Sequence, residues 1–196
     1  MTALTKVMRQ WGYASLLLVV SLGAQAAPLN LTFLPEDVLF SDVDASWNGS
    51  VLQLAGSAPP STISHSGGVT INSASYALSL GVNSSGTQTA APNSFSLTGD
   101  IGGGLTTLLQ GTVTAFGFDN FSGTFGAAGE PTTLEFLVSL TTSNAALGIG
   151  SQMGIQWTAL NGLVTVPGAI GFRASGNTNN ARVGTAQVPE PATLAL

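Results

Sequence analysis

Ala74-Ser75-Tyr76-Ala77-Leu78-Ser79-Leu80-Gly81-Val82 alternates apolar with small side chains. Ala74, Tyr76, Leu78, Leu80 and Val82 fall on one side, and Ser75 and Ser79 on the other. Successive side chains of a strand point to opposite faces, so this period of two describes a strand with one buried face. The pattern returns at Leu134, Phe136, Val138 and Leu140, with Glu135 and Ser139 between them. Glu135 is out of phase with the apolar set and is expected to point to water. Outward from these two segments, further strands are expected at Leu29–Leu34, Val51–Ala55, Ser94–Thr98, Leu108–Phe118, Ile155–Leu160 and Leu163–Val166. Turn-forming clusters separate them: Ala58-Pro59-Pro60-Ser61, Asn83-Ser84-Ser85-Gly86, Gly99-Asp100-Ile101-Gly102 and Gly129-Glu130-Pro131. Strong helix formers are scarce, and a short helix is expected at most near Pro35 to Leu39 or Ala145 to Leu147. The expected fold is all-β, a single antiparallel β-sandwich of jelly-roll type with roughly eight to ten short strands.

Composition narrows what such a fold can do. Of 196 residues, four are Lys or Arg, nine are Asp or Glu, one is His and none is Cys. Charged residues make up 7%, where an ordinary globular protein has about 25%. Four cations cannot make the many phosphate contacts that drive nucleic-acid affinity, so no nucleic-acid partner is expected. Without Cys there is no disulfide framework, thiolate zinc site or thiol nucleophile. Hydrophobic residues reach 44%, enough to bury a core. The chain also has 25 Gly, 21 Ser and 22 Thr. Exposed strand faces therefore carry Thr and Ser in place of Lys and Glu, which suits a pleated surface. Such faces leave edge strands with few charged gatekeepers. Covered edges are the simpler expectation, and self-association is the other.

The N-terminus reads as an export signal. Lys6 and Arg9 precede the apolar block Ala14 to Leu22, which is too short to span a bilayer as a stable helix. Ala24-Gln25-Ala26 then supplies the small-x-small cleavage site, so residues 1–26 are expected to be a secretory signal peptide cut after Ala26. The partners this implies are the Sec machinery and signal peptidase. Cleavage leaves Arg173 and Arg182 against nine acidic residues, a formal charge of −7. The β domain is then expected over residues 27–186.

The C-terminal residues 187–196 read Gln187-Val188-Pro189-Glu190-Pro191-Ala192-Thr193-Leu194-Ala195-Leu196. Two prolines forbid helix or strand continuation, which predicts an extended tail. Val-Pro-Glu-Pro followed by apolar residues resembles the opening of the PEP-CTERM sorting signal of Gram-negative bacterial envelopes. In that family Pro-Glu-Pro precedes a short hydrophobic helix and an Arg-rich tail, and an exosortase is thought to act at the motif. The resemblance implies a sorting role for Pro189, Glu190 and Pro191, and Ala192 to Leu196 match the start of the hydrophobic segment. The sequence runs five residues past Pro191, so the expected signal is truncated within that segment. Inner-membrane anchoring is expected only transiently and only in a full-length form. The body, rich in Gly, Ser, Thr and Asn, also looks like the β domains common in such proteins.

Candidate chemistry is sparse. Asp42-x-Asp44-x-Ser46 resembles the first ligands of a calcium loop. Trp47 then replaces the Gly expected at the sixth position and Gln53 the Glu expected at the twelfth, and a solvated turn is the competing reading. His65, the sole His, lies in Ser64-His65-Ser66-Gly67-Gly68 without a Gly-x-Ser-x-Gly elbow. Asp100, Asp119, Glu130 and Glu135 could supply the carboxylate pair of a glycosidase, but nothing in the sequence brings two of them together. Gly102-Gly103-Gly104 and Gly148-x-Gly150 read as turns. Trp47 and Phe121 lie in turn-like contexts and are the candidates for an aromatic binding patch, with burial in the core as the alternative. No cofactor is expected. These observations lead to an exported, non-enzymatic protein of the envelope or extracellular matrix, with exopolysaccharide as a candidate partner. A secreted glycan- or calcium-binding module is the alternative, and a secreted hydrolase is further off.

Overall fold

The computed structural model describes residues 27–41, 43–57, 63–64, 68–119, 125–126, 133–158, 164–165, 172–174 and 180–187. Within them the chain is almost wholly strand, as the alternation predicts. The elements are β1 (Thr32–Ser41), β2 (Val43–Trp47), β3 (Val51–Ser57), β4 (Ile63–Ser64), β5 (Thr70–Val82), β6 (Gln88–Asp100), β7 (Thr106–Phe118) and β8 (Thr133–Ser143), followed by a 3₁₀ turn at Ala145–Leu147. After the turn come β9 (Gln152–Thr158), β10 (Val164–Thr165), β11 (Phe172–Ala174) and β12 (Asn180–Gln187).

All pairings are antiparallel, and they run in one path: β1-β12-β9-β8-β7-β6-β5-β3-β2-β11-β10, with β4 beside β5. From β5 to β9 each strand pairs with the next in sequence, a meander and not the crossing connectivity of a jelly roll. The pairing therefore defines one curled antiparallel sheet and does not by itself divide into two packed layers. The two ends of the path fall on the same stretches of chain. β2 pairs with β11 through Phe172↔Trp47 to Ala174↔Ala45, and β1 pairs with β12 through Asn180↔Ser41 to Gln187↔Thr32. Read along the chain, β1 with β2 and β11 with β12 act as two long neighbouring strands. With β3, β5, β6, β7, β8 and β9 they make eight positions round the sheet.

A contact confirms the curl. The Trp157 indole N–H on β9 donates to the Val43 carbonyl on β2 at 2.9 Å. Along the path through β8, β7, β6, β5 and β3 these strands are six steps apart, about 29 Å if the sheet were flat. Eight strands in such a curl leave an interior that side chains alone can fill. Trp157, Tyr76, Phe95, Phe136 and Leu52, all under 2% exposed, occupy it. At one end Phe125 meets Trp47, Phe116 and Phe118 edge to face, with the Phe118 and Phe125 rings 4.8 Å apart and Trp47 and Phe125 4.9 Å apart, while Phe116 and Phe118 stack.

Irregularities keep the apolar residues facing inward. Ile71 and Ala74 are both buried although they are three apart. Ser73 adopts a φ of 51° between them, where the β5–β6 register shifts, and this bulge reverses the phase. The β7–β8 register shifts between Val113 and Ala115, so that Val113 and Phe116 both turn inward. One of the two possible helices is present as the 3₁₀ turn, held by the Asn144 side chain accepting from the Ala146 N–H. The other, Pro35 to Leu39, lies inside β1 instead. There β12 supplies backbone partners that a short helix with a proline could not match.

Candidate functional site

Among the residues whose side chains are described, the outward face from β2 to β9 is rich in Ser, Thr and Gln and carries few charges, and Arg173 on β11 stands opposite Ser46 in the register. At one level the register joins Ser46, Gln53, Ser79, Ser94, Thr112, Ser139 and Gln152 across seven adjacent strands from β2 to β9. At the next level it joins Asp44, Ala55, Ala77, Ser96 and Gln110. Where the two rows cross β3, β5, β6 and β7 the surface sinks into a depression of about 420 Å³. Ala55 and Ala77 make room in its floor, and the side chains of Gln53, Ser79, Ser94, Ser96 and Gln110 line it. Small residues between two glutamines produce a hollow where larger side chains would level the sheet.

The hydrogen bonding of this face is uneven. Beside the depression, the Thr114 hydroxyl donates to the Leu137 carbonyl and the Thr141 hydroxyl to the Gln110 carbonyl, both at 3.2 Å. Among the described residues, the side chains of Asp44, Gln53, Ser79, Ser94, Ser96 and Gln110 make no hydrogen bond to the protein. The donors and acceptors of Gln53, Ser79, Ser94, Ser96 and Gln110 are open to whatever lies in the hollow, and Asp44 stands one strand away, opposite Ala55.

Residues singled out in the sequence separate sharply. Asp44 and Ser46 sit half-buried on the outward face of β2, alternating with buried Val43, Ala45 and Trp47. A straight strand spreads alternate residues along a line and does not wrap them round an ion, so the calcium-loop reading of Asp44 and Ser46 fails on backbone geometry. Asp42 lies outside the described residues. Among the described residues there is no cluster of three metal-ligating side chains. Trp47 is not an exposed binding aromatic: it is 4% exposed, and its indole N–H donates to the Val82 carbonyl at 2.9 Å. Turn-like neighbours concealed its burial, because the side chain closes the end of the core on which Phe125 stacks. Phe121, His65, Glu130 and the Pro189-Glu190-Pro191 motif lie outside the described residues.

Glu135 departs most from expectation. It is 4% exposed, not solvated. Its carboxylate accepts the backbone N–H groups of Asn30 at 2.7 Å and Leu31 at 3.3 Å, and the Gln156 side-chain amide at 3.1 Å. The segment Ala27 to Leu31 lies over it and also over Gly117, where a Cβ would come within 2.4 Å of the Ala27 carbonyl oxygen. Strand phase correctly placed Glu135 on the outer face; only the long-range return of residues 27–31 buries it. Asp119 and Asp100 also serve the backbone, whereas Asp44 does not. Asp119 accepts the Thr133 N–H, and Asp100 accepts the Gly102 and Gly104 N–H groups, which hold its carboxyl below the usual range.

Comparison with protein-family models, with curated proteins and with solved structures finds no match to this chain.

Proposed function

We propose that this chain is an exported, non-enzymatic β-domain protein of the bacterial envelope or extracellular matrix. It would reach that location through the Sec route and signal peptidase, and be sorted by an exosortase-type enzyme at Pro189, Glu190 and Pro191. The observation that best supports this reading is the outward face. One row of Ser, Thr and Gln crosses the sheet from β2 to β9, and beside it runs a second of Asp44, Ala55, Ala77, Ser96 and Gln110. The surface can hydrogen-bond a hydrated polymer over a wide area, while the described carboxylates Asp100, Asp119 and Glu135 are engaged with backbone N–H groups. The N-terminal three-part signal and the C-terminal Pro-Glu-Pro support the same reading from the two ends of the chain.

The test is expression of the gene in a Gram-negative host carrying an exosortase-type system. Fractionation and N-terminal sequencing should recover a product from the envelope or medium that begins at Ala27. Replacing Pro189-Glu190-Pro191 with alanines should trap it at the inner membrane. Intact protein beginning at Met1 in the cytoplasm would overturn the reading.

A further inference from the structure

We propose that the depression bounded by Gln53 and Gln110 is a binding site for a neutral polysaccharide, with Asp44 at its rim. The idea deepens the matrix reading and rests on it for a polymer outside the cell. The site itself is argued from geometry. The hollow of about 420 Å³ is open along the sheet, and three strand steps separate β3 from β7. That span is about 14 Å, which accepts a length of chain and not a single small solute. Ser79, Ser94 and Ser96 offer hydroxyls that both donate and accept, and Gln53 and Gln110 offer amides that do the same. A sugar ring presents hydroxyls with the same dual character, so each side can satisfy the other without any ionised group. The neighbouring hydroxyls of Thr114 and Thr141 are spent on strand carbonyls, whereas those in the hollow have no partner among the described residues.

Charge selects among polymers. Arg173 and Arg182 are the only cations after residue 26, against nine acidic residues. Asp44 lies directly opposite Ala55 in the β2–β3 register, beside the floor of the hollow. A carboxylate there accepts strong hydrogen bonds from sugar hydroxyls and repels a uronic-acid polymer. The ligand chemistry is therefore an uncharged glycan, and its binding should depend little on salt.

The experiment is affinity electrophoresis and titration calorimetry of the purified secreted protein. Dextran, laminarin and soluble cellulose derivatives serve as neutral probes, and alginate as the acidic one. At least one neutral glucan should bind, with affinity unchanged between low and high salt, and alginate should not. Gln53→Ala and Gln110→Ala should each weaken binding about 5-fold, the loss of one ordinary hydrogen bond. Asp44→Ala should weaken it about 10-fold, as a charge-assisted bond requires. Ser84→Ala, exposed in the turn between β5 and β6, should leave it unchanged. All four positions are on the surface, and thermal melts will confirm that the variants fold. Failure of every neutral glucan to bind overturns the proposal, as does binding that survives the triple substitution. A dimer in sedimentation that Gln53→Ala and Gln110→Ala dissociate would assign the face to a second copy and also overturn it. Export is scored by fractionation and binding in solution, so either reading can fail alone.

Discussion

Replacing Glu135 tests the least expected contact in the molecule. Its carboxylate accepts three hydrogen bonds while only 4% exposed, two of them from the backbone of Asn30 and Leu31. In Glu135→Gln one oxygen remains to accept. The new NH₂ group faces a backbone N–H, so a donor meets a donor and at least one buried amide loses its partner. Hydrogen bonds to charged groups contribute about 1.5–3 kcal/mol each, and an orphaned donor costs about 1–3 kcal/mol, so a loss of about 2–3 kcal/mol is expected. For a domain of this size each kcal/mol moves the midpoint by about 2–4 °C, which puts the drop in Tm at about 4–12 °C. Calorimetry measures that drop. Hydrogen exchange adds a local readout, because the Asn30 and Leu31 amides should lose protection while the Trp157 indole keeps its own. A chain beginning at Thr32 completes a double-mutant cycle. There the same substitution should cost less than about 0.5 kcal/mol, since its partners are already gone. A melt within about 0.5 kcal/mol of the parent, with Asn30 and Leu31 still protected, would refute the clamp.

Other contacts give sharper, smaller tests. Trp157→Phe keeps most of the buried ring but strips the donor from the Val43 carbonyl, and should cost about 1–3 kcal/mol in urea unfolding. Gly86→Ala should be severe, above about 2 kcal/mol, because φ is +77° and the new Cβ would sit 2.4 Å from the Phe118 ring. Gly103→Ala, with nothing within 4 Å of its Cβ, should change the melt by less than about 0.5 kcal/mol. Asp100 carries a pH signature. Backbone N–H groups lower its folded pKa below the ordinary 3.8, so its stabilising effect is present above that value and disappears as pH falls through the folded pKa. Parent and Asp100→Asn should therefore differ at neutral pH and converge in acid, as melts from pH 7 to pH 3 will record.

Much of the fold is local and so could be read from residue order. The alternation at Ala74 to Val82 and Leu134 to Leu140 marks strands because a pleated backbone has a period of two wherever it occurs. The Asn83 turn is equally local: its side chain accepts the N–H groups of Ser85 and Thr87 within the same hairpin. Burial that depends on distant partners was not legible. Trp47 looked like a turn residue until Phe125 and the Val82 carbonyl arrived from far along the chain. The depression was partly visible, since Ser79 is plainly off the apolar face. Its alignment with Gln53, Ser94 and Gln110 depends on register, which no single strand contains.

By itself, then, the sequence determined an antiparallel all-β chain with a hydroxyl-rich, charge-poor exterior. Those properties follow from period and composition, which belong to each segment alone. Tertiary structure decided that the strands share one curled sheet, that Glu135 is buried under residues 27–31, and that Asp44 stands beside a hollow bounded by Gln53 and Gln110. Each of these follows from pairing between residues far apart in the chain. Pairing is chosen by the closure of the whole core, a collective energy that no local stretch records.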